Sequence, residues 1–276
     1  MKVLGVVGPS DSGKTTLVER LAARLSERGR VATIKRCTHA PDVDTDGKDT
    51  ARHRAAGAEA TYALTDDAGW FATGADRTLE ATLNDLAPRY DYVLIEGYSD
   101  ADVPQVALGG RQHRGPELVA APEADAVDVD AVLDELATTE PFETLGSLVA
   151  RVKASPRAEQ AGAIATFTGR VRAKETPDDE PTEYLEFEKY EGVADETMER
   201  LCADLEEREG VLEVVMHHRT GVIEYGEDIV FVVVLAGHRG EAFRTVSDGI
   251  DRLKEEVPLF KKEVTVDDEF WVHERS

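Results

Sequence analysis

Three lysines stand close together near the C-terminus of this sequence: Lys254, Lys261 and Lys262, on either side of Pro258. The chain has 32 basic and 56 acidic residues, a formal net charge of -24, and no other lysine follows residue 189. A solvated face of so acidic a chain would not concentrate lysines in this way. Because a lysine in a partly desolvated pocket can act as a base or a nucleophile, the cluster predicts one wall of an anion-binding or nucleophilic site.

Other cations of the C-terminal half also fall where predicted elements end. Arg172 follows an alternating, strand-like run, and His238 and Arg239 stand between the apolar run 229–236 and a helix, where a helix N-terminus favours phosphate. Each cation has a structural alternative: His238 as a helix cap or an exposed side chain, Lys254 as a partner of the helix dipole, and Lys261 as protection of a strand edge. Five cations at element ends together favour an anion site.

The N-terminus carries a second chemical motif, G-x-x-x-x-G-K-T, directly after an apolar strand. Its glycines let successive backbone N–H groups meet phosphate oxygens, Lys14 reaches the β- and γ-phosphates, and the Thr15 hydroxyl ligates Mg²⁺. An acid that ends another apolar strand, Glu96, is the second candidate magnesium ligand. The predicted nucleotide-binding residues are Gly8, Ser10, Asp11, Ser12, Gly13, Lys14, Thr15 and Thr16.

The elements around this loop indicate an α/β fold. A strand over Val3–Val7 precedes the loop, an apolar stripe of Leu17, Leu21 and Leu25 predicts a helix that stops by Gly29, and residues 31–34 predict the next buried strand. Residues 92–96 predict another strand, 116–122 a weak break, and 128–136 a closing helix. This order is typical of a doubly wound sheet of the P-loop NTPase type.

The stretch 33–58 is polar and rich in turn-forming residues, with a high density of His, Asp, Lys and Arg. It fits a solvated loop that leads to a surface helix, and it also fits a ligand-binding segment beside the nucleotide loop. Both interpretations stay open on the sequence.

In the C-terminal half, strand-like runs over 163–172, 184–190, 211–216 and 229–236 alternate with two helical stripes, which indicates an α+β domain. One stripe contains Met198, Leu201, Cys202 and Leu205, so we expect Cys202 to belong to the core and to have no catalytic role.

Composition excludes several classes of protein. No apolar run approaches the ~20 residues that span a bilayer, and the apolar start continues into a glycine-rich loop, so it is not a secretion signal. The two cysteines are far apart, which argues against a disulfide framework or a structural zinc site and predicts a cytoplasmic location. The acidic surface disfavours nucleic acid and anionic membranes as partners, and with 22 arginines to 10 lysines it resembles proteins of organisms with a salty cytoplasm.

The N-terminal half resembles the molybdopterin-guanine dinucleotide biosynthesis adapter family, MobB. The resemblance rests on the phosphate loop followed by T-I-K-R-C-T-H, D-G-K-D-T-A-R-H-R-A-A-G-A and V-L-I-E-G-Y, although the family usually has more histidine where this chain has Arg36–His39. It implies a domain over residues 1–138 that binds GTP and Mg²⁺ as an adapter for later cofactor maturation, with a weak GTPase and a molybdopterin guanylyltransferase partner as further expectations. No N-K-x-D motif is present, so the base preference rests on the resemblance.

The C-terminal half resembles the large, catalytic subunit of molybdopterin synthase, MoaE, through A-T-F-T-G-R-V-R, H-R-x-G, E-D-I-V-F-V-V-V, G-H-R-x-x-A-F and L-K-x-x-x-P-x-F-K-K-E followed by W-V. The resemblance implies an α/β-hammerhead-like homodimer that receives a small ubiquitin-like sulfur carrier, MoaD-like, with a C-terminal Gly-Gly thiocarboxylate. Sulfur passes to cyclic pyranopterin monophosphate to form the dithiolene of molybdopterin. Lys254 and Lys261 match the family's essential lysines, and Arg172, His238 and Arg239 match its substrate-phosphate residues; no bound metal is expected here.

Three functions are compatible with these observations. The first is a fused enzyme, with the adapter domain over 1–138, a short linker over 139–142 and the synthase domain over 143–276. The second is a nucleotide-dependent scaffold whose C-terminal half only docks the sulfur carrier or a partner enzyme. The third is a small-molecule P-loop kinase with a regulatory C-terminal half. The two lysines at their spacing favour the first, because a binding domain has no chemical need for them.

Overall fold

The computed structural model describes residues 1–37, 39, 47–67, 69–190, 192–265 and 269–272. The chain divides into two compact units, Met1–Phe142 and Glu143–Ser276. Among the described residues, no helix is both long enough and apolar enough to cross a membrane. Each unit is described separately below.

The described residues of the first unit form seven strands and four α-helices. In chain order they are β1 Lys2–Val7, α1 Lys14–Ser26, β2 Val31–Lys35, α2 Asp49–Ala55, β3 Ala60–Leu64, β4 Trp70–Gly74, α3 Leu79–Leu86, β5 Tyr92–Glu96, β6 Gln105–Leu108, β7 Glu117–Ala121 and α4 Val129–Thr138, with a 3₁₀ turn over Ala124–Ala126.

Five of these strands form one sheet in the order β2-β5-β1-β6-β7, and every pairing in it is parallel. Helices α1 and α4 pack on one face, where Leu21 and Leu133 meet Leu4 of β1, and α3 packs on the other, where Leu83 meets Val93. A sheet covered on both faces needs apolar residues along the whole of its central strands, and Leu4 and Val6 of β1 are fully buried. The predicted doubly wound α/β fold is confirmed.

Three local features differ from the sequence-based expectation. Strand β2 is not buried, because it lies at the edge of the sheet and leaves three of its five residues half-buried and two exposed. Residues 117–121, expected to form a break, form strand β7. The hairpin of β3 and β4, which pair antiparallel, was not anticipated. Of the polar stretch 33–58, residues 38 and 40–46 lie outside the described part of the chain; residues 49–55 form α2, which has no buried residue.

The segment after α4 remains with the first unit. The backbone N–H of Phe142 donates to the carbonyl of Met1 over 2.8 Å, and its ring packs against the apolar cluster around α3. Helix α5 of the second unit begins soon afterwards, with Thr144 and Ser147 forming a reciprocal capping box that satisfies two backbone N–H groups.

In the second unit, the part of the chain that the structure describes forms three α-helices and seven strands. In chain order they are α5 Leu145–Lys153, β8 Ala163–Arg170, β9 Thr182–Lys189, α6 Val193–Glu206, β10 Val211–His218, β11 Gly221–Glu224, β12 Asp228–Ala236, α7 Arg239–Glu256, β13 Leu259–Thr265 and β14 Glu269–Val272, with a 3₁₀ turn over Ala158–Gln160.

These strands form two antiparallel sheets, β10-β12-β8 and β11-β9-β13-β14. Strand β12 is central in the first sheet and is buried from Ile229 to Ala236, as its apolar sequence predicts. Helix α5 covers one face through Leu148, and helices α6 and α7 cover the other through Leu205 and Ile250. Each fully buried valine of β12 stabilises the fold by roughly 1.5–3 kcal/mol, so this strand anchors the unit. The predicted α+β organisation is confirmed.

Helix α7 approaches the first of these sheets closely at Gly249. A Cβ atom there would lie 3.0 Å from Met216 Cε and 3.2 Å from Val232 Cγ1, whereas a Cβ at the exposed Gly240 of the same helix would meet only the Arg244 guanidinium at 3.5 Å. Glycine at position 249 therefore lets a long helix pack against the strand that anchors the unit.

We predict that Gly249→Leu lowers the free energy of unfolding by about 1–3 kcal/mol, since the added side chain overpacks the contact with β10 and β12. The matched control Gly240→Leu should leave stability unchanged or slightly raised, because leucine has the better helix propensity. Denaturant unfolding of the full chain in high salt, followed by far-UV circular dichroism, measures both. Equal stabilities for the two variants would contradict the close approach.

Candidate functional sites

The loop between β1 and α1 has the geometry of a phosphate cradle. Its backbone turns through two left-handed residues, Asp11 at φ 62° and Gly13 at φ 81°, and α1 begins directly after Gly13. A Cβ on Gly13 would lie 2.7 Å from the Cβ of Ala124, and one on Gly8 would lie 2.6 Å from Ser12 Oγ. Only glycine fits both positions, and such turns direct successive N–H groups into one concavity.

The side chains predicted to meet phosphate and metal lie at this loop. The Lys14 ammonium donates to the carbonyl of Pro9, within the loop itself. Thr15 Oγ1 lies 3.1 and 3.2 Å from the two carboxylate oxygens of Glu96, at the carboxyl end of β5. Parallel pairing of β1 with β5 brings these residues together, since both strands end at the same edge of the sheet.

Thr15 and Glu96 fit a magnesium ion in their chemistry. A hydroxyl and a carboxylate are hard oxygen donors, and Mg²⁺ usually takes one or two such protein ligands and completes its shell with water and phosphate oxygens. Within the described part of the chain, no group of three or more His, Cys, Asp or Glu side chains could hold a metal by itself. A metal at Thr15 and Glu96 would therefore depend on a bound phosphate.

Lys35 is a member of this cluster that the sequence analysis did not single out. Its Nζ atom lies 3.0 Å from Glu96 Oε1 and 3.4 Å from Thr15 Oγ1. The position of Lys35 could have indicated this contact, because Lys35 ends a strand parallel to β5, and residues at the carboxyl ends of neighbouring parallel strands meet at one edge of the sheet.

The second unit contains a large cleft of about 1450 Å³ between the end of α7, strand β8 and the β9–β13 pair. Three of the site residues predicted for the second unit line this cleft: Arg172 from the loop after β8, Lys254 from the last turn of α7, and Lys261 from β13. Pro258 ends α7 and redirects the chain into β13, which is how lysines seven residues apart come to one cleft.

The three cations differ in their partners. Lys261 Nζ lies 3.9 Å from a carboxylate oxygen of Glu263, two residues along β13, and the hydroxyl of Thr182 donates to the other oxygen of Glu263. Arg172 pairs with the exposed Glu175 over 2.8 Å. Lys254 is exposed and makes no hydrogen bond or ion pair with any described residue. Of these three predicted residues, two have a carboxylate partner and Lys254 has none among the described residues.

His238 and Arg239 do not join this cleft within one chain. His238 caps the N-terminus of α7 without a side-chain hydrogen bond, Arg239 is the first residue of the helix, and both are exposed. Lys254 lies fifteen residues further on, roughly 22 Å along the axis at the rise of an α-helix. The structure therefore places the predicted phosphate residues at two separate positions of the second unit.

A buried histidine that the sequence did not single out, His218, forms part of the wall of the cleft. His218 ends β10, is 8% exposed, and its ring packs edge-on against Phe187 at 4.7 Å between centroids. Its Nδ1 atom lies 2.7 Å from the carbonyl of Arg219. Burial lowers the pKa of His218 to about 4, with a smaller contribution from neighbouring His217, so the ring is neutral at neutral pH. The sequence shows two adjacent histidines, His217 and His218, but it does not show which of the two faces inward.

The cysteine on α6 has no nucleophilic character. Burial raises the pKa of Cys202 to about 12, and nearby Glu206 adds to this effect. The thiol therefore stays protonated at neutral pH, in agreement with its predicted place in the core.

Because the folded-state pKa of His218 lies below the ordinary 6.5, the unfolded chain binds more protons between the two values. We predict that the stability of the second unit is intact above pH 6.5 and falls by about 3 kcal/mol as the pH drops towards 4. His218→Gln should lack this component, while the exposed control His238→Gln should keep it. Denaturant unfolding at a series of pH values tests this; parallel curves for wild type and His218→Gln would contradict it.

Two family profiles match the chain, one in each half. The profile of molybdopterin guanine dinucleotide synthesis protein B, MobB, matches residues 3–133, and that of the MoaE protein matches residues 137–256. Both predicted resemblances are confirmed, and with them the fold classes, P-loop NTPase-like in the first half and α/β-hammerhead-like in the second.

Individual proteins are similar to this chain over part or all of its length. The crystal structure of Bacillus subtilis MobB is 27% identical, covers 50% of this chain and 100% of its own, and has a TM-score of 0.38. The molybdopterin synthase catalytic subunit of Pyrococcus abyssi is 37% identical over 111 residues, which are 40% of this chain and 74% of that one. A probable molybdopterin synthase of Haloferax volcanii is 55% identical over 276 residues, 100% of both chains. The chain therefore belongs to the same family as this protein, with a MobB region followed by a MoaE region.

Proposed function

We propose that the second unit is the catalytic domain of a molybdopterin synthase, which transfers sulfur from a thiocarboxylated small carrier subunit to cyclic pyranopterin monophosphate. The first unit binds GTP and Mg²⁺ and acts as an adapter for later steps. Both halves then serve molybdenum cofactor biosynthesis, the process to which both matched families belong. The observation that carries the proposal is that Arg172, Lys254 and Lys261 line one cleft.

The size and charge of the cleft suit two reactants. Pockets for small molecules usually measure about 300–1000 Å³, so a cleft of about 1450 Å³ leaves room for a pterin and for the extended C-terminal end of a carrier. The pterin carries a cyclic phosphate, and the Arg172 guanidinium offers the planar, two-pronged donor that phosphate oxygens prefer. Arg172 would exchange its surface partner Glu175 for this substrate.

The partners of the two lysines separate their roles. Lys261 lies beside Glu263, so it is a positioned cation that can hold the thiocarboxylate or the phosphate through charge-assisted hydrogen bonds. Lys254 has no such partner among the described residues, and its amine is available to move a proton during the transfer or to attack the carrier's carbonyl carbon. In the second case the new N–C bond replaces the C–S bond, and the released sulfur passes to the pterin. We assign the nucleophilic or general-base role to Lys254 and the anion-holding role to Lys261.

His238 and Arg239 serve the same substrate only in a dimer. They lie at the far end of α7 from Lys254, so a contact with substrate in the same cleft would need a second copy of the chain. This requirement agrees with the homodimer implied by the MoaE resemblance, in which each α7 would present its N-terminus to the cleft of the partner.

The first unit binds the phosphates of GTP through the loop amides, Lys14 and the start of α1. Thr15 and Glu96 would hold Mg²⁺, whose charge offsets that of the phosphates when it is bound. Ser10, Ser12 and Thr16 add hydroxyls at the same helix N-terminus, where the dipole favours anions. A molybdopterin guanylyltransferase is the proposed partner of this domain, and a weak GTPase activity would follow from the same site.

We predict that the full chain, in high salt with thiocarboxylated carrier and cyclic pyranopterin monophosphate, makes molybdopterin. Lys254→Ala should lower the rate at least ~100-fold, since removal of a nucleophile or base costs several kcal/mol of barrier. The matched control Lys262→Ala, next to Lys261 on β13 but outside the cleft lining, should stay near wild type. Carrier that binds wild type without any product would favour a docking scaffold instead.

A second prediction concerns the nucleotide. Lys14→Ala should weaken GTP binding by about 10- to 100-fold, the loss of a charge-assisted hydrogen bond, and leave molybdopterin synthesis unchanged. Arg24→Ala, on the same helix but paired with Asp130 over 2.6 Å, is the matched control and should bind GTP normally. Titration calorimetry of the full chain measures both. Tight GTP binding by Lys14→Ala would contradict the phosphate-loop assignment.

A further inference from the structure

Lys35 contacts both proposed magnesium ligands. It ends β2, opposite Glu96 in the parallel register of β2 and β5, so the two side chains leave the sheet at the same edge. Its Nζ atom lies 3.0 Å from Glu96 Oε1 and 3.4 Å from Thr15 Oγ1. The Glu96 side chain is only 11% exposed, whereas that of Lys35 is 56% exposed. A solvent-accessible ammonium therefore neutralises a nearly buried carboxylate.

A divalent ion at these ligands would compete with this ammonium. Mg²⁺ binds carboxylate and hydroxyl oxygens at about 2.0–2.1 Å, so it needs the oxygens that Lys35 approaches. Two cations at contact distance repel each other strongly even near the surface of a protein. The ion can enter only if the ammonium moves, and the ammonium moves readily only if another anion receives it.

We propose that Lys35 is an internal counter-cation of the Thr15–Glu96 pair, which excludes a free divalent ion and yields its place to the magnesium complex of a nucleoside triphosphate. The phosphates supply the anion that receives the displaced ammonium, so metal and nucleotide bind together. The inference rests on the proposed nucleotide site and adds a specificity-determining residue to it.

The neighbouring cation provides a matched control. Arg36 follows Lys35 directly, but its guanidinium pairs with Asp100 over 2.7 Å and lies 5.2 Å from the centre of the Tyr98 ring. Loss of the Arg36 charge changes the general electrostatics of the same segment without altering the Thr15–Glu96 pair. If the ion pair of Lys35 with Glu96 only stabilised the fold, loss of the charge at Lys35 and loss of the charge at Arg36 would have the same effect on the binding of a divalent ion.

The experiment measures Mn²⁺ binding to the full chain without nucleotide, by electron paramagnetic resonance in high salt, where the weak binding of ions to the acidic surface is screened. Lys35→Met should bind Mn²⁺ at least ~10-fold more tightly than wild type, and Lys35→Arg and Arg36→Met should resemble wild type. The double variant Lys35→Met with Glu96→Gln should lose the gain, because the carboxylate that holds the ion is gone. Circular dichroism verifies that each variant is folded.

Mn²⁺ affinity of Lys35→Met equal to or below that of wild type would overturn the proposal, and so would a gain that persists when Glu96 is replaced. A GTP titration with and without Mg²⁺ separates this result from the proposed function. Wild type should bind GTP more tightly with Mg²⁺ than without it. Lys35→Met should bind the magnesium complex of GTP at least ~5-fold more weakly than wild type does. Absence of GTP binding by wild type would refute the nucleotide site, whereas the Mn²⁺ comparison would still decide the role of Lys35.

Discussion

The cost of burying an unpaired charge organises both halves of this protein. Central strands such as β1 and β12 carry only apolar side chains at their buried positions, because a charge placed there would lose its hydration without compensation. Charged residues therefore appear where strands and helices end. Since several elements end at the same edge in each unit, the side chains excluded from the core gather there into the two candidate sites.

Two side chains that depart from this rule lie within the sites. Glu96 is nearly buried, with Lys35 and Thr15 as partners of its carboxylate, and burial keeps the ring of His218 uncharged at neutral pH. Glu96 therefore depends on a cationic partner, Lys35, that a bound metal ion would have to displace. His218 depends on its neutral protonation state. Burial thus makes the carboxylate of Glu96 sensitive to a bound cation and the ring of His218 sensitive to pH.

The distribution of charge also separates the sites from the rest of the surface. The net charge is -24, so most of the exterior repels anions. A group of neighbouring cations attracts anions locally, which the surrounding surface does not do. In the cleft of the second unit, carboxylates such as Glu175 and Glu263 hold two of the cations in place, whereas Lys254 stands without a partner among the described residues. This difference, and not lysine as a residue type, separates the proposed roles of Lys254 and Lys261.

The sequence by itself determined the elements and the motifs. Apolar periodicity placed β1, α1, α6 and β12 correctly, since a core strand or an amphipathic helix needs a local pattern that can be seen without the fold. Tertiary structure decided which residues meet. The edge position of β2, the strand at 117–121, the contact of Lys35 with Glu96 and the inward orientation of His218 depend on pairings between segments far apart in sequence. The same physics separated His238 and Arg239 from Lys254: a motif records which residues are present, but the length of a rigid helix sets the distance between its two ends.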